Sequence, residues 1–219
     1  MDKLKLINHE NVQTGLKQKK LNFVQITEDN LLEATKMQMK IFPSNECAYS
    51  HYARAIKLNQ DYQNYYMVYD KEKLVGVTGL YSFEKFQDTN SIWLGWFGVD
   101  EKYRKQGYGS AILQQTMDLA KSYMKKYPDL KYFRLYTSSA ENEAALPLYR
   151  KYMDIEEAYH NENDINYDNT ILIFSKSLRD DLTVPQWDNR FMNLKQSALD
   201  ELAGYKIFQQ KIANAELSK

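Results

Sequence analysis

The chain has 219 residues, 43% of them hydrophobic and 14% aromatic, with 29 basic and 29 acidic side chains. That length fits one domain of ordinary size with a modest extension, the apolar content supports a sizeable core, and eighteen tyrosines argue against disorder. The charge balance disfavours a nucleic-acid or anionic-membrane surface, and Cys47, the single cysteine, excludes an intrachain disulfide or a thiolate metal cluster.

Residues 1–20 are polar and rich in Lys and Gln, and read as an arm or a weak first element. A short alternating strand pattern follows over 23–27. Asp29 and Asn30 are placed to cap a helix in which Leu31, Leu32, Ala34, Met37 and Ile41 recur at helical spacing until Pro43. A second short helix is expected over 48–57. Residues 65–69 and 74–83 predict two strands joined by the polar turn 70–73, and 92–99 predicts a third after the loop 84–91. The helix after Gly109 carries Leu113, Met117, Ala120 and Met124 on one stripe. Residues 131–137 alternate as a strand, 142–152 predict a helix, 155–159 a further strand, and 170–174 a final β-branched strand. The expected fold is α/β, a mixed sheet with helices on both faces.

Residues 179–219 differ in character. An extended, Pro-containing link at 182–187 precedes a long amphipathic helix with Phe191, Leu194, Ala198, Leu202, Tyr205, Phe208 and Ile212 on one side. That stripe must bury against its own domain or a second subunit, and a homodimer is the expectation drawn from it. No apolar stretch near Met1 is long enough for a signal peptide and no run approaches a membrane span. A soluble cytoplasmic protein with no membrane partner is therefore expected.

Between the strand at 92–99 and the next helix stand Arg104, Gly107 and Gly109, at R-x-x-G-x-G spacing. A glycine-containing loop at a helix start lets backbone N–H groups face an anion, so a phosphate is the expected ligand. A Rossmann fingerprint is ruled out because Ile112 stands where its third glycine would be, and no Gly-Lys-Ser/Thr of a Walker A loop occurs. Taken alone, the two glycines equally describe an ordinary helix start. Gly95 and Gly98 interrupt an otherwise bulky strand, which marks a bulge or a close backbone approach. A bulge would free backbone groups for an amide-bearing ligand to pair with. The competing explanation is packing around Trp93 and Trp96. Downstream, Asn142-x-x-Ala145-x-x-Leu148-Tyr149-x-Lys151 puts Asn142 and Tyr149 two helical turns apart on one face, with Pro147 near the helix start. A surface tyrosine is the competing explanation there.

These three elements, in this order, resemble the GNAT superfamily of acetyl-CoA-dependent N-acetyltransferases. The resemblance covers about residues 21–178 and is strongest over 92–151. It implies a mostly antiparallel mixed sheet with a splayed parallel strand pair, with residues 1–20 as an N-terminal arm and 179–219 as a C-terminal linker and helix. It implies that the backbone of Lys105, Gln106, Gly107, Tyr108, Gly109 and Ser110 cradles the pyrophosphate of acetyl-CoA, with Arg104 at the loop's start. Phe97, Gly98 and Val99 would line the pantetheine arm, and Asn142 would hydrogen-bond it from the opposite side. Tyr149 would lie beside the thioester sulfur. A tyrosine titrating near ~10 is protonated at neutral pH and can donate to a thiolate whose acid has a pKa of about 8.5.

The implied reaction is direct attack by a primary amine of a small molecule or peptide on the thioester, in a ternary complex. A backbone N–H of the splayed strand would stabilise the oxyanion. No metal is expected: His9, His51 and His160 have no ligand spacing. Strand 92–99 lacks the Glu or His that some relatives carry there. Tyr81, Glu84 and Asp88 are base candidates by position alone, as is a water chain to solvent. His51 lies with Tyr49, Tyr52 and Arg54 in the helix that borders the acceptor pocket of similar proteins. The alternative to an enzyme is a non-catalytic acyl-CoA-binding or assembly module on the same fold. The misplaced glycines disfavour a dinucleotide-dependent oxidoreductase.

Overall fold

Alternating apolar residues in the hairpin strands and two amphipathic helices organise the part of the chain that carries the glycine loop. The computed structural model describes residues 3–6, 19–43, 48–59, 63–81, 90–138, 143–160, 170–185 and 187. They fall into two compact units. One comprises the described residues within 19–81 and 95–116; the other comprises those within 1–18, 82–94 and 117–190. The apolar stripe from Phe191 to Ile212 lies outside the described residues, as do Asn142, Glu84 and Asp88.

The glycine-loop unit holds strand β2 (Asn22–Gln25), helices α1 (Leu31–Ile41) and α2 (Tyr49–Leu58), strands β3 (Asn64–Asp70), β4 (Lys73–Tyr81) and β6 (Gly98–Val99), and the start of helix α3 (Tyr108–Tyr123). Strands β2, β3 and β4 pair antiparallel in sequence order, and β6 pairs antiparallel with β4. Successive strand residues point to opposite faces, and β3 shows the consequence. Tyr65 and Met67 pack with Leu31 and Ala34 of α1 and Tyr49, Tyr52 and Ala55 of α2. Val68, of the opposite parity, packs with Val75 and with Ala111 and Ile112 of α3. Helices thus cover both faces of this part of the sheet. A buried hydroxyl pair, Thr78 to Thr116 at 3.0 Å, fixes α3 on β4.

The expected cap of α1 is not made. The Asn30 side chain faces backward instead: its Oδ1 accepts from Thr27 N at 2.8 Å and its Nδ2 donates to Gln25 O at 3.0 Å. It therefore locks the turn that leads from β2 into the helix. Both sides of the β3–β4 turn extend further than the apolar pattern showed, because backbone pairing runs to Asp70 and Lys73 at the polar ends.

The second unit holds β1 (Lys3–Leu6), β5 (Ser91–Leu94), β7 (Tyr132–Ser138), α4 (Leu146–Tyr152), β8 (Ile155–His160) and β9 (Thr170–Ser177), and the residues of α3 from Met117 onward. Its strands run in the order β1-β8-β9-β7-β5. All pairs are antiparallel except β5 with β7, which is the parallel pair. The N-terminal arm thus contributes a strand, β1, paired with β8. The link after β9 is docked rather than free. The backbone N–H of Trp187 donates to both carboxylate oxygens of Glu157, at 3.0 and 3.2 Å, and its ring meets Trp93 in a T-shaped pair at 5.3 Å. Glu157 also faces Arg134 at 4.0 Å, and Arg134 donates to the hydroxyls of Ser91 and Ser175. All four of these polar residues are buried.

Candidate functional site

The strand expected over 92–99 is broken. β5 ends at Leu94 and β6 resumes at Gly98. Trp96, between them, sits at φ +47°. A bulky side chain in the left-handed region is a genuine outlier and marks a bulge. The glycines beside it are demanded by packing, though not around the tryptophans as expected. A Cβ on Gly95 would lie 2.9 Å from the rings of Tyr65 and Tyr81, and one on Gly98 would lie 2.5 Å from Ile41 Cγ2. Close packing and a bulge are both present. The Trp96 ring contacts His51 at 5.6 Å and Phe42 at 6.0 Å, each edge-on. Among the described residues β4 is the strand partner of β6. Phe97 and Val99 rest half-buried on the cluster of Val68, Val75 and Ile112.

The loop after β6 is built around Asp100, a residue outside the glycine motif. Asp100 N donates to Val75 O at 2.9 Å and so ends the strand pairing. Its buried carboxylate caps a turn of 3-10 helix at Glu101–Tyr103 by accepting from Lys102 N at 3.3 Å. It also binds Lys40 Nζ of α1 at 2.7 Å. Burial pushes the Asp100 carboxyl up, but the Lys40 hydrogen bond, the Lys102 N–H and the charge of both lysines outweigh it and hold it below the usual carboxylate range. An Asp placed directly before a short charged run was a capping signal available in the sequence.

From there the chain turns twice through the left-handed region, at Lys105 (φ +58°) and Gly107 (φ +82°), with Gln106 of ordinary handedness between them. Such alternation brings successive N–H groups to one side. The α3 ladder opens with Ala111 N donating to Gly107 O at 3.1 Å. The N–H groups of Tyr108, Gly109 and Ser110 therefore precede the ladder, at the positive end of a sixteen-residue helix. Lys105 to Ser110 are thus gathered into one cradle suited to a polyanion. Arg104 stands at its entrance with Nε on Val99 O at 3.1 Å, which ties the loop to the end of β6. Tyr108 anchors the other side. Its hydroxyl donates to Asp70 Oδ2 at 2.6 Å, which raises its pKa, and its ring is buried beneath Lys19.

Tyr149 lies in the second unit, on α4. The helix begins at Leu146 after a 3-10 turn at Glu143–Ala145, with Pro147 in its first turn. The expectation of one helix running from Asn142 is therefore corrected: Pro147 cannot donate to a preceding turn, so the α-helix starts later. Tyr149 is not a surface residue. It is 7% exposed and packs on Phe174 at 5.5 Å. Burial pushes its phenol far above the ordinary tyrosine range. Among the described residues no group of His, Cys, Asp and Glu side chains could hold a metal ion, and no helix is long and apolar enough to cross a membrane.

Comparison with known proteins adds to this geometry. No curated protein sequence matches the chain. Among solved structures, the ribosomal-protein-S18-alanine N-acetyltransferase of Escherichia coli superposes with a TM-score of 0.54 at 16% identity, covering 75% of this chain and all of that one. Naa50 of Arabidopsis thaliana, solved with the bisubstrate analogue CoA-Ac-MVNAL, gives 0.53 at 20% identity over 72% of this chain and 98% of its own. RimL, a ribosomal L7/L12 alpha-N-protein acetyltransferase solved with coenzyme A, gives 0.56 at 16% identity over 79% and 98%. At these identities the likeness shows the fold. The sequence profile of the acetyltransferase (GNAT) family matches residues 31–154, which span the bulge, the loop and α4. The chain belongs to the acetyltransferase (GNAT) family.

Proposed function

We propose that the chain transfers an acetyl group from acetyl-CoA to a primary amine of a small molecule or peptide, by direct attack in a ternary complex. The cradle at Lys105–Ser110 carries this proposal. Two left-handed residues and an open helix start support a diphosphate there, and family membership supports coenzyme A as its carrier. In this proposal the pantetheine arm runs along Phe97, Gly98 and Val99, with Asn142 as a further hydrogen-bond partner. A main-chain N–H near the bulge stabilises the oxygen as the amine adds to the thioester carbonyl.

Tyr149 is the proposed proton donor to the departing thiolate. Its burial keeps the phenol protonated across the working pH range. A phenol raised this far is a weaker acid than the thiol it serves, so it stabilises the developing thiolate first as a hydrogen-bond donor, and a proton it passes on as the C–S bond breaks is replaced from solvent. No carboxylate or imidazole stands on β5 or β6, so the base for the amine's proton is left among Tyr81, Glu84, Asp88 and a water chain to solvent. That same gap supports the second reading, a non-catalytic acyl-CoA-binding or assembly module. In either case the apolar stripe at 191–212 is proposed to join two copies, and the protein is proposed to act in the cytoplasm.

A thiol-release assay with acetyl-CoA and a panel of primary amines decides between the two. Turnover with any of them supports transfer. Calorimetric binding of coenzyme A without turnover across the panel supports the module.

A further inference from the structure

Resting on the proposed acetyl transfer, we infer that the Trp96 indole is a specificity-determining wall of the acceptor site, and that the acceptor is a primary amine carried on an aromatic or hydrocarbon group. Chain direction supplies the first step. If the diphosphate sits at Lys105–Ser110, the arm passes back along Val99, Gly98 and Phe97, and its acyl end emerges beside Trp96.

Backbone strain supplies the second. The bulge puts its left-handed residue at Trp96, although Gly95 next to it could hold that conformation without strain. A bulky side chain persists in such a position where surrounding structure or function requires it. The indole is half-buried, packs on the core cluster beneath α1 and α2, and forms T-shaped pairs with His51 and Phe42. Tyr81, also half-buried, crowds the adjacent Gly95. An amine arriving here meets aromatic surface, which favours an apolar or flat carrier over a hydroxylated one.

The test compares Trp96→Gly and Trp96→Phe with the wild-type protein, using phenethylamine, hexylamine and ethanolamine as acceptors. Glycine accepts the left-handed backbone, so Trp96→Gly removes the ring without adding strain. The expected result is a KM for phenethylamine and hexylamine raised roughly tenfold or more. The KM for ethanolamine and the affinity for coenzyme A stay at wild-type values, and Trp96→Phe recovers most of the apolar preference. Equal changes for all three amines, unchanged KM values, or a loss of coenzyme A affinity parallel to the KM rise would each overturn the inference and make the ring a packing element. Wild-type protein that binds coenzyme A but acetylates none of these amines overturns this inference, and one that also turns over no amine of the wider panel overturns the acetyltransferase proposal itself.

Discussion

Gly107→Ala isolates the backbone conformation of the anion cradle. Gly107 sits at φ +82°, and a Cβ built there meets nothing within 4 Å. The substitution therefore introduces no clash, and its whole effect comes from the left-handed conformation, which costs a residue with a Cβ about 1–2 kcal/mol. Two outcomes share that cost. If the loop holds its shape, the folded state loses about 1–2 kcal/mol, which for a chain of this size lowers Tm by roughly 2–8 °C. If the loop relaxes, the N–H groups of Gly107 and Tyr108 turn away from the anion and coenzyme A binding weakens by about tenfold per 1.4 kcal/mol lost. Lys105→Gly is the matching control, since it relieves the left-handed strain at φ +58° and is expected to raise Tm slightly. Thermal melts with and without coenzyme A, together with calorimetry, separate the two contributions. Wild-type Tm and wild-type affinity in Gly107→Ala would refute the assignment of that conformation to the cradle.

Tyr149→Phe is expected to lower kcat by about 10²–10⁴-fold while leaving coenzyme A affinity unchanged, as measured by steady-state kinetics and calorimetry. Because burial raises the Tyr149 pKa, the phenol stays protonated in the folded chain, and kcat should show no descending limb up to the ordinary tyrosine pKa near ~10. Above that pH the unfolded chain releases the proton first, so stability falls, and Tyr149→Phe should flatten that alkaline loss in urea titrations. Asp100→Asn removes a carboxylate whose pKa is depressed in the fold. It should cost about 1–3 kcal/mol at neutral pH, and the difference from wild type should start to fade below the ordinary carboxylate value of ~4 and be gone only once pH has fallen through the lower folded-state pKa. Gly98→Ala drives a methyl to within 2.5 Å of Ile41 and 2.9 Å of Phe42. A destabilisation of about 1–3 kcal/mol is expected in chemical denaturation.

Much of this fold is written in simple periodicity. Leu31, Ala34, Met37 and Ile41 announce α1, and the alternation of Tyr65 and Met67 with Val68 announces a strand covered on both faces. The loop at Arg104–Ser110 was legible because left-handed backbone favours glycine and Gly107 supplies it. Gly95 and Gly98 pointed to a bulge, but that its left-handed residue is Trp96 was not legible, since no residue type advertises a left-handed tryptophan. The Asn142 to Tyr149 pattern set the helix start too early, because Pro147 has no N–H for the preceding turn and a 3-10 turn at Glu143–Ala145 precedes the α-helix. Asn30 looked like a helix cap, yet its side chain found partners on the preceding turn. The buried set of Arg134, Glu157 and Trp187 left no sequence signal: charged residues in strands read as solvent-facing until a docked segment covers them.

The central claim is that main-chain amides between Arg104 and Ser110 hold the diphosphate of coenzyme A. Amide hydrogen exchange over residues 104–111, measured with saturating coenzyme A and separately with pantetheine, tests it most directly. Strong protection by coenzyme A and none by pantetheine is the predicted result, because pantetheine lacks the diphosphate. Exchange in that segment unchanged by bound coenzyme A would contradict the account.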